Sequence, residues 1–128
     1  MSDLQLHDNI AKLLQRLRLS AQKSQYGNSD ILLVAVSKTR FPVEIRAAHA
    51  CGLIDFGENY LQEALDKMEA LRDLPLVWHF IGPIQSNKTA AIAKNFDWVH
   101  SIDREKVARR LSDQRPDTLP PLQVCLQV

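Results

Sequence analysis

The sequence has 128 residues and a formal net charge of +1, with 45% apolar and 24% charged residues. This length suits one domain with a packed core, and this composition excludes a disordered chain, a disulfide scaffold and a general nucleic-acid binder. The two cysteines, Cys51 and Cys125, are expected to be reduced, since nothing around them suggests a secreted framework. We recognise no signal peptide and no membrane-spanning run, and we expect a cytoplasmic protein.

The first part of the chain alternates between helix and strand patterns. Apolar residues at helical spacing from Leu6 to Ala21, behind a capping box at Ser2–Gln5, predict an amphipathic helix. Turn formers at Tyr26–Asp30 end this helix. The continuous apolar run Ile31–Val36 then predicts a strand that is buried on both faces.

The alternation continues to the end of the chain. Pro42 opens a second helix, which extends through His49 and is closed by Gly52. Further strands are predicted at 53–56, 76–81, 98–102 and 122–128, and further helices at 60–71, 88–94 and 104–112. Five strands separated by four helices predict a parallel sheet covered by helices, either doubly wound or closed into a barrel.

The given sequence ends within the last predicted strand. Val128 ends an apolar run that has no covering helix or polar tail. Because an eight-unit barrel typically needs about 250 residues, we expect residues 1–128 to form a single domain that supplies roughly the first five strands of one.

Lys38 is the strongest candidate for chemistry. It follows the first predicted strand, at the end where parallel α/β folds place their ligand sites. A lysine forms a Schiff base only as the neutral amine, which partial burial in an apolar barrel mouth would favour. A solvated lysine at a strand end is the alternative that position alone leaves open.

Polar side chains also follow the second predicted strand. Glu58 and Asn59 are available at the same rim as hydrogen-bonding groups, or they serve the start of the next helix. Gly52 and Gly57 have the spacing of a phosphate loop, but Glu58 occupies the position where that motif requires lysine. A P-loop is therefore rejected.

His79 lies in the third predicted strand, where it faces either the sheet interior or a covering helix. A lone strand histidine is more often a core residue than a catalyst, so both interpretations stay open. Ser86 and Asn87 open the next helix and are expected as N-caps, with phosphate binding as the less favoured alternative. The four histidines are widely scattered, and we predict no metal site.

Four linked motifs resemble those of a known family. They are LVAVSKT at 33–39, FGENYLQE at 56–63, WHFIGPIQSNK at 78–88 and SIDR at 101–104. In this order and spacing they resemble the pyridoxal phosphate homeostasis proteins, the YggS-type proteins that are related to the N-terminal barrel of alanine racemase. The resemblance spans nearly the whole chain.

The resemblance implies a (β/α)8 barrel that binds pyridoxal 5'-phosphate (PLP). Lys38 matches the lysine that forms the Schiff base, and Asn59 and His79 become candidate pocket residues at the carboxyl rim of the second and third strands. Residues 1–128 would be the N-terminal part of such a barrel. Because the family's phosphate-binding loops lie in its C-terminal half, we expect weak cofactor retention by residues 1–128 alone.

The resemblance also implies a function without catalytic turnover. Proteins of this family are understood to hold PLP and pass it on, to PLP-dependent apoenzymes among other recipients, which keeps vitamin B6 and amino-acid pools balanced. The full-length form is expected to be a monomer. The alternative is a PLP-dependent amino-acid racemase that uses Lys38 as a base.

Overall fold

Five parallel strands alternate with five α-helices in the computed structural model, which describes residues 2–24 and 31–128. The strands are β1 (Ala35–Val36), β2 (Asp55–Glu58), β3 (Val77–Phe80), β4 (Trp98–Ile102) and β5 (Gln123–Leu126). The helices are α1 (Asp3–Gln22), α2 (Pro42–Ala50), α3 (Leu61–Ala70), α4 (Thr89–Asn95) and α5 (Glu105–Gln114). A 3₁₀ turn, Ser86–Lys88, leads into α4.

The order of the strands decides between the two predicted architectures. The sheet order is β1-β2-β3-β4-β5, and each neighbouring pair is parallel. Right-handed crossovers between successive neighbours place α2 to α5 on the same face of the sheet. A doubly wound sheet would instead reverse its order at a switch point. The structure is therefore an arc of the barrel type.

Local signals set the helix ends as the sequence predicts. Ser2 Oγ accepts a hydrogen bond from the Gln5 N–H at 3.1 Å, which caps α1. Gly52 has a φ of +103°, a conformation that side chains rarely adopt, directly after α2. The predicted turn at 26–30 lies outside the described residues.

The first strand is shorter and more exposed than its apolar run predicts. Only Ala35 and Val36 are paired as strand, and Ile31, Leu32 and Val36 are exposed. β1 lies at the sheet edge, and its neighbour β2 begins only at Asp55. The prediction of burial on both faces is wrong here, because such burial requires covered faces along the whole run.

The predicted caps of the fourth helix are also wrong. The N-cap position of α4 is Lys88, which makes no side-chain capping hydrogen bond within the described part of the chain. Thr89 Oγ1 instead donates to the Ser86 carbonyl at 3.0 Å, within the 3₁₀ turn.

The main core lies between the sheet and its helices. The largest fully buried apolar side chains of this core lie in β2, in β4, in the helices and in the turns directly after helices. They are Phe56, Phe96, Ile45, Leu71, Ile92, Leu111, Val99 and Val107. The opposite face of the sheet, here called the inner face, presents Gly57, His79, Trp98 and His100. None of the described helices is long and apolar enough to cross a membrane.

Candidate functional site

Lys38 lies in a tight turn directly after β1, at the carboxyl edge of the sheet. The Ser37 N–H donates to the Gly57 carbonyl at 2.9 Å, and the Arg40 N–H donates to the Ser37 carbonyl at 3.1 Å. Thr39 has a left-handed backbone with a φ of 65°, which is uncommon for a residue other than glycine. Backbone geometry therefore fixes the turn on both sides of Lys38.

The Lys38 side chain is exposed. The position of Lys38 in the sequence predicts partial burial at a barrel mouth, which the described residues do not provide. The physical reason is that Lys38 follows a two-residue edge strand, which has a neighbour on one side only.

Asn59 lies on the same edge, directly after β2. The Ile81 N–H donates to the Glu58 carbonyl at 2.9 Å, which keeps the ends of β2 and β3 together. A Cβ atom added to Gly82 would lie 2.5 Å from the Asn59 carbonyl oxygen, so this close approach requires glycine. Asn59 Oδ1 is buried and has no hydrogen-bond partner among the described residues. A buried acceptor without a donor is rare in folded proteins and calls for an explanation.

His79 lies deeper in the sheet than the predicted rim position. It is in register with Gly57, two residues before Asn59, which places its backbone about 7 Å further from the edge. The His79 side chain is 0% exposed and stacks on Trp98, with ring centroids 5.4 Å apart. The His79 side chain thus lies on the inner face of the sheet. The rim position that the resemblance implied for His79 is corrected to this deeper one.

The surroundings of His79 favour its neutral form. Its Nδ1 lies 2.9 Å from His100 Nε2, while its Nε2 lies 3.5 Å from Asp55 Oδ2 and has no hydrogen-bond partner among the described residues. Burial lowers the pKa of His79 below its ordinary value, and the nearby Asp55 carboxylate opposes this shift only in part. A neutral imidazole can accept a proton or donate one at either nitrogen, according to its tautomer.

Glu58 points away from this inner face, toward α3. It is 0% exposed and forms an ion pair with Lys67 of α3, whose Nζ lies 3.0 Å from Glu58 Oε2. The sequence left two interpretations of Glu58 open. The structure supports the one in which Glu58 is a partner of the following helix, rather than a hydrogen-bonding group at the rim.

Sequence reasoning did not single out Lys67 and Glu63. Lys67 Nζ also contacts Glu63 Oε1 at 2.7 Å, and the Thr39 N–H donates to the same oxygen at 2.6 Å. The hydrogen bond from Lys67 is the largest cause that lowers the pKa of Glu63. The only available signal was the i, i+4 spacing of Glu63 and Lys67, which is typical of many exposed helical ion pairs.

Comparisons with known proteins identify relatives of this chain. The pyridoxal phosphate homeostasis protein of Pseudomonas aeruginosa is 62% identical over 121 residues, which are 94% of this chain and 53% of that protein. The protein of the same name from Escherichia coli is 45% identical over 123 residues, again 94% and 53% of the two chains. The resemblance predicted from the motifs is confirmed. The chain spans about half the length of the curated relatives it matches, and no family model matches it.

Solved structures resemble the same arc. PipY of Synechococcus elongatus, solved with PLP bound, has a TM-score of 0.66 and 45% identity over 76% of this chain and 46% of its own. A crystal structure of an unknown protein from Bifidobacterium adolescentis has a TM-score of 0.80 and 27% identity over 88% of this chain and 50% of its own. The five-strand arc thus corresponds to part of these larger folds.

The four pyridoxal phosphate homeostasis motifs meet at one edge of the sheet. The first two end β1 and β2 with Lys38 and Asn59. The third supplies Gly82, and the fourth supplies the buried Ser101, whose Oγ donates to the Gly82 carbonyl. The tertiary structure therefore connects segments that are up to about half the chain apart in sequence.

Proposed function

We propose that this chain is part of a protein that binds PLP at the carboxyl edge of the sheet, with Lys38 as the point of attachment. One observation carries the proposal: the exposed Lys38 amine lies on the same edge as Asn59, whose buried Oδ1 has no donor among the described residues. The name shared by the curated relatives and the PLP bound to PipY support the choice of cofactor.

The residues at this edge fit the cofactor chemically. PLP supplies an aldehyde, which condenses with a primary amine to a Schiff base and releases one water molecule. Lys38 would supply the amine, and Asn59 Oδ1 would accept a hydrogen bond from a donor on the pyridine ring. His79, held neutral and stacked on Trp98, would support the pocket from the deeper layer of the inner face.

The attachment is tested by reduction and mass spectrometry. Full-length protein incubated with PLP is treated with borohydride, digested, and searched for a pyridoxyl-phosphate group on each lysine. We expect the modification at Lys38 and its loss in Lys38→Ala. The control is Lys106→Ala, which removes an exposed lysine of α5 and should leave the modification unchanged. Equal modification of wild type and Lys38→Ala would contradict the proposal.

We further propose that the whole protein holds and releases PLP in the cytoplasm without catalytic turnover, as a monomer that supplies PLP-dependent apoenzymes. The homeostasis name of the curated relatives supports this role. The test is racemisation of L-alanine and L-serine by the full-length protein in the presence of PLP. A turnover that Lys38→Ala abolishes would overturn the non-catalytic role and favour the racemase alternative.

A further inference from the structure

A buried ion pair lies directly beneath the turn that presents Lys38. Glu58, at the end of β2, is 0% exposed, and Lys67 of α3 is 4% exposed. Removing two charges from water carries a large desolvation cost, and apolar pairs of similar volume are often at least as stable. Stability alone therefore does not explain why this position holds a lysine and a glutamate.

The contacts of Lys67 point toward the Lys38 turn. Its Nζ donates to the Ser37 carbonyl at 2.6 Å and lies 3.1 and 3.0 Å from the two carboxylate oxygens of Glu58. Glu58 in turn accepts a hydrogen bond from Ser37 Oγ. The residue immediately before Lys38 is thus bound through both its main chain and its side chain.

A second bond holds the other side of the turn. Glu63 Oε1 accepts from the Thr39 N–H at 2.6 Å and contacts Lys67 Nζ at 2.7 Å. One ammonium group therefore connects the backbone on either side of Lys38, directly at Ser37 and through Glu63 at Thr39. The left-handed φ of Thr39 also requires such support, because it is unfavourable for a side chain that branches at Cβ.

We propose that Lys67, with its carboxylate partners Glu58 and Glu63, is a positioning residue that fixes the Lys38 turn and so the location of the Lys38 amine. The inference rests on the proposed role of Lys38 in PLP binding. Without the ammonium group, the Ser37 carbonyl loses its buried donor and Glu63 loses the charge that orients it toward Thr39. The Lys38 amine would then occupy a broader range of positions, and its reaction with an aldehyde held by the neighbouring strands would slow.

The decisive variant removes both buried charges together. Glu58→Gln/Lys67→Met leaves no unpaired charge in the interior, so it should fold where Lys67→Met alone would leave Glu58 without a partner. Two properties are measured: amide hydrogen exchange at Thr39 and Arg40, and the borohydride-trapped PLP modification of Lys38. Circular dichroism reports whether the variant is folded.

We expect exchange at Thr39 and Arg40 to become roughly tenfold faster, and the modification of Lys38 to form about tenfold more slowly, in the folded double variant. Lys67→Arg as a single substitution keeps the charge beside Glu58. Its exchange rates at Thr39 and Arg40 and its rate of Lys38 modification should lie between those of wild type and the double variant. Arg46→Gln removes an exposed ion pair between α2 and the turn after α3, and should change neither.

A folded double variant with wild-type exchange and wild-type modification would overturn the proposal. If the double variant does not fold, Glu63→Ala decides: it keeps the buried pair and removes the acceptor of the Thr39 N–H, so unchanged exchange at Thr39 and unchanged modification would overturn the proposal. If full-length wild-type protein shows no modification at Lys38, the proposed function fails, and hydrogen exchange still tests the positioning.

Discussion

At the scale of single residues, His79 shows how burial sets the state of an ionisable group. Burial disfavours the imidazolium, and the Asp55 carboxylate at 3.5 Å offsets this only in part. The facing ring of His100 adds to the cost of a positive charge. His79 is therefore neutral in the folded chain at a pH where the unfolded chain begins to bind a proton.

This difference predicts a loss of stability in mild acid. Since the pKa of His79 is lower in the folded state than the ordinary value of 6.5, the unfolded state binds more protons as the pH falls below that value. The free energy of unfolding should then decrease with a limiting slope of about 1.4 kcal/mol per pH unit for one proton. Urea denaturation at a series of pH values between about 5 and about 7.5 measures this slope.

Two histidine variants isolate the source of the slope. His79→Asn should weaken the pH dependence of the free energy of unfolding, whatever its effect on stability at neutral pH. His7→Gln, at an exposed position of α1, should leave the dependence as in wild type. The same slope in wild type and His79→Asn would show that another group is responsible.

The predicted site residues also show what a single sequence can locate. Lys38 and Asn59 were found because each follows an apolar strand pattern, and parallel strands end at a common edge. Their roles stay predictions. A core position for His79 was one of the two interpretations that the sequence left open, and its burial agrees with that one. Its contact with His100 and the ion pair of Lys67 could not be predicted, since both depend on residues from other elements that register and packing bring within contact.

At the scale of elements, α2 is joined to the turn after α3 by a charged pair with two parallel bonds. Arg46 Nη1 and Nη2 donate to the two carboxylate oxygens of Asp73 at 2.8 and 2.9 Å. These bonds lower the pKa of Asp73 from 3.8 to about 2. The pair is exposed, so we assign it a role in titration and geometry rather than a large share of stability.

We predict that Arg46→Gln returns the pKa of Asp73 toward its ordinary value of 3.8. The lowered pKa means that the folded state favours ionised Asp73. The pair therefore contributes to the free energy of unfolding above pH 3.8, and this contribution is lost as the pH falls toward 2. A carboxyl-carbon NMR titration measures the value directly. Arg72→Gln breaks a neighbouring exposed pair with Glu69 and should leave Asp73 unchanged; a pKa still near 2 in Arg46→Gln would refute the assignment.

The sequence predicted most elements because their signals are local. The fourth strand was predicted with the observed bounds, Trp98–Ile102, and α1 and α2 have the predicted capping residue and closing glycine. The first strand was too long in the prediction because the length of an edge strand depends on where its neighbour starts. The prediction of an N-cap of α4 at Ser86 or Asn87 was wrong because both residues lie in the preceding 3₁₀ turn.

At the scale of the whole molecule, one apolar cluster extends from α1 to α5. It includes Ile10 of α1, Phe56 of β2, Ile92 of α4 and Leu111 of α5. A continuous core of this kind predicts that the helices and the sheet unfold together, as one domain over residues 1–128.

Ile92→Ala tests this prediction. Ile92 is 0% exposed, so truncation should leave a cavity and lower the free energy of unfolding by about 2–5 kcal/mol. Val43→Ala, at an exposed position of α2, should change it by well under about 1 kcal/mol. Urea denaturation followed by both circular dichroism and tryptophan fluorescence should give coincident transitions, whereas two separate midpoints would contradict a single cooperative domain.

The sequence by itself determined the alternation of helices and strands, the parallel class of the sheet, the family resemblance and the candidate Lys38, because these depend on periodicity, turn residues and short motifs. The tertiary structure alone decided the sequential strand order, the depth of His79 and the buried Lys67–Glu58 pair beneath the Lys38 turn. These features depend on pairing register and on which face of a strand a helix covers. Both arise from contacts between residues distant in sequence, which local patterns do not encode.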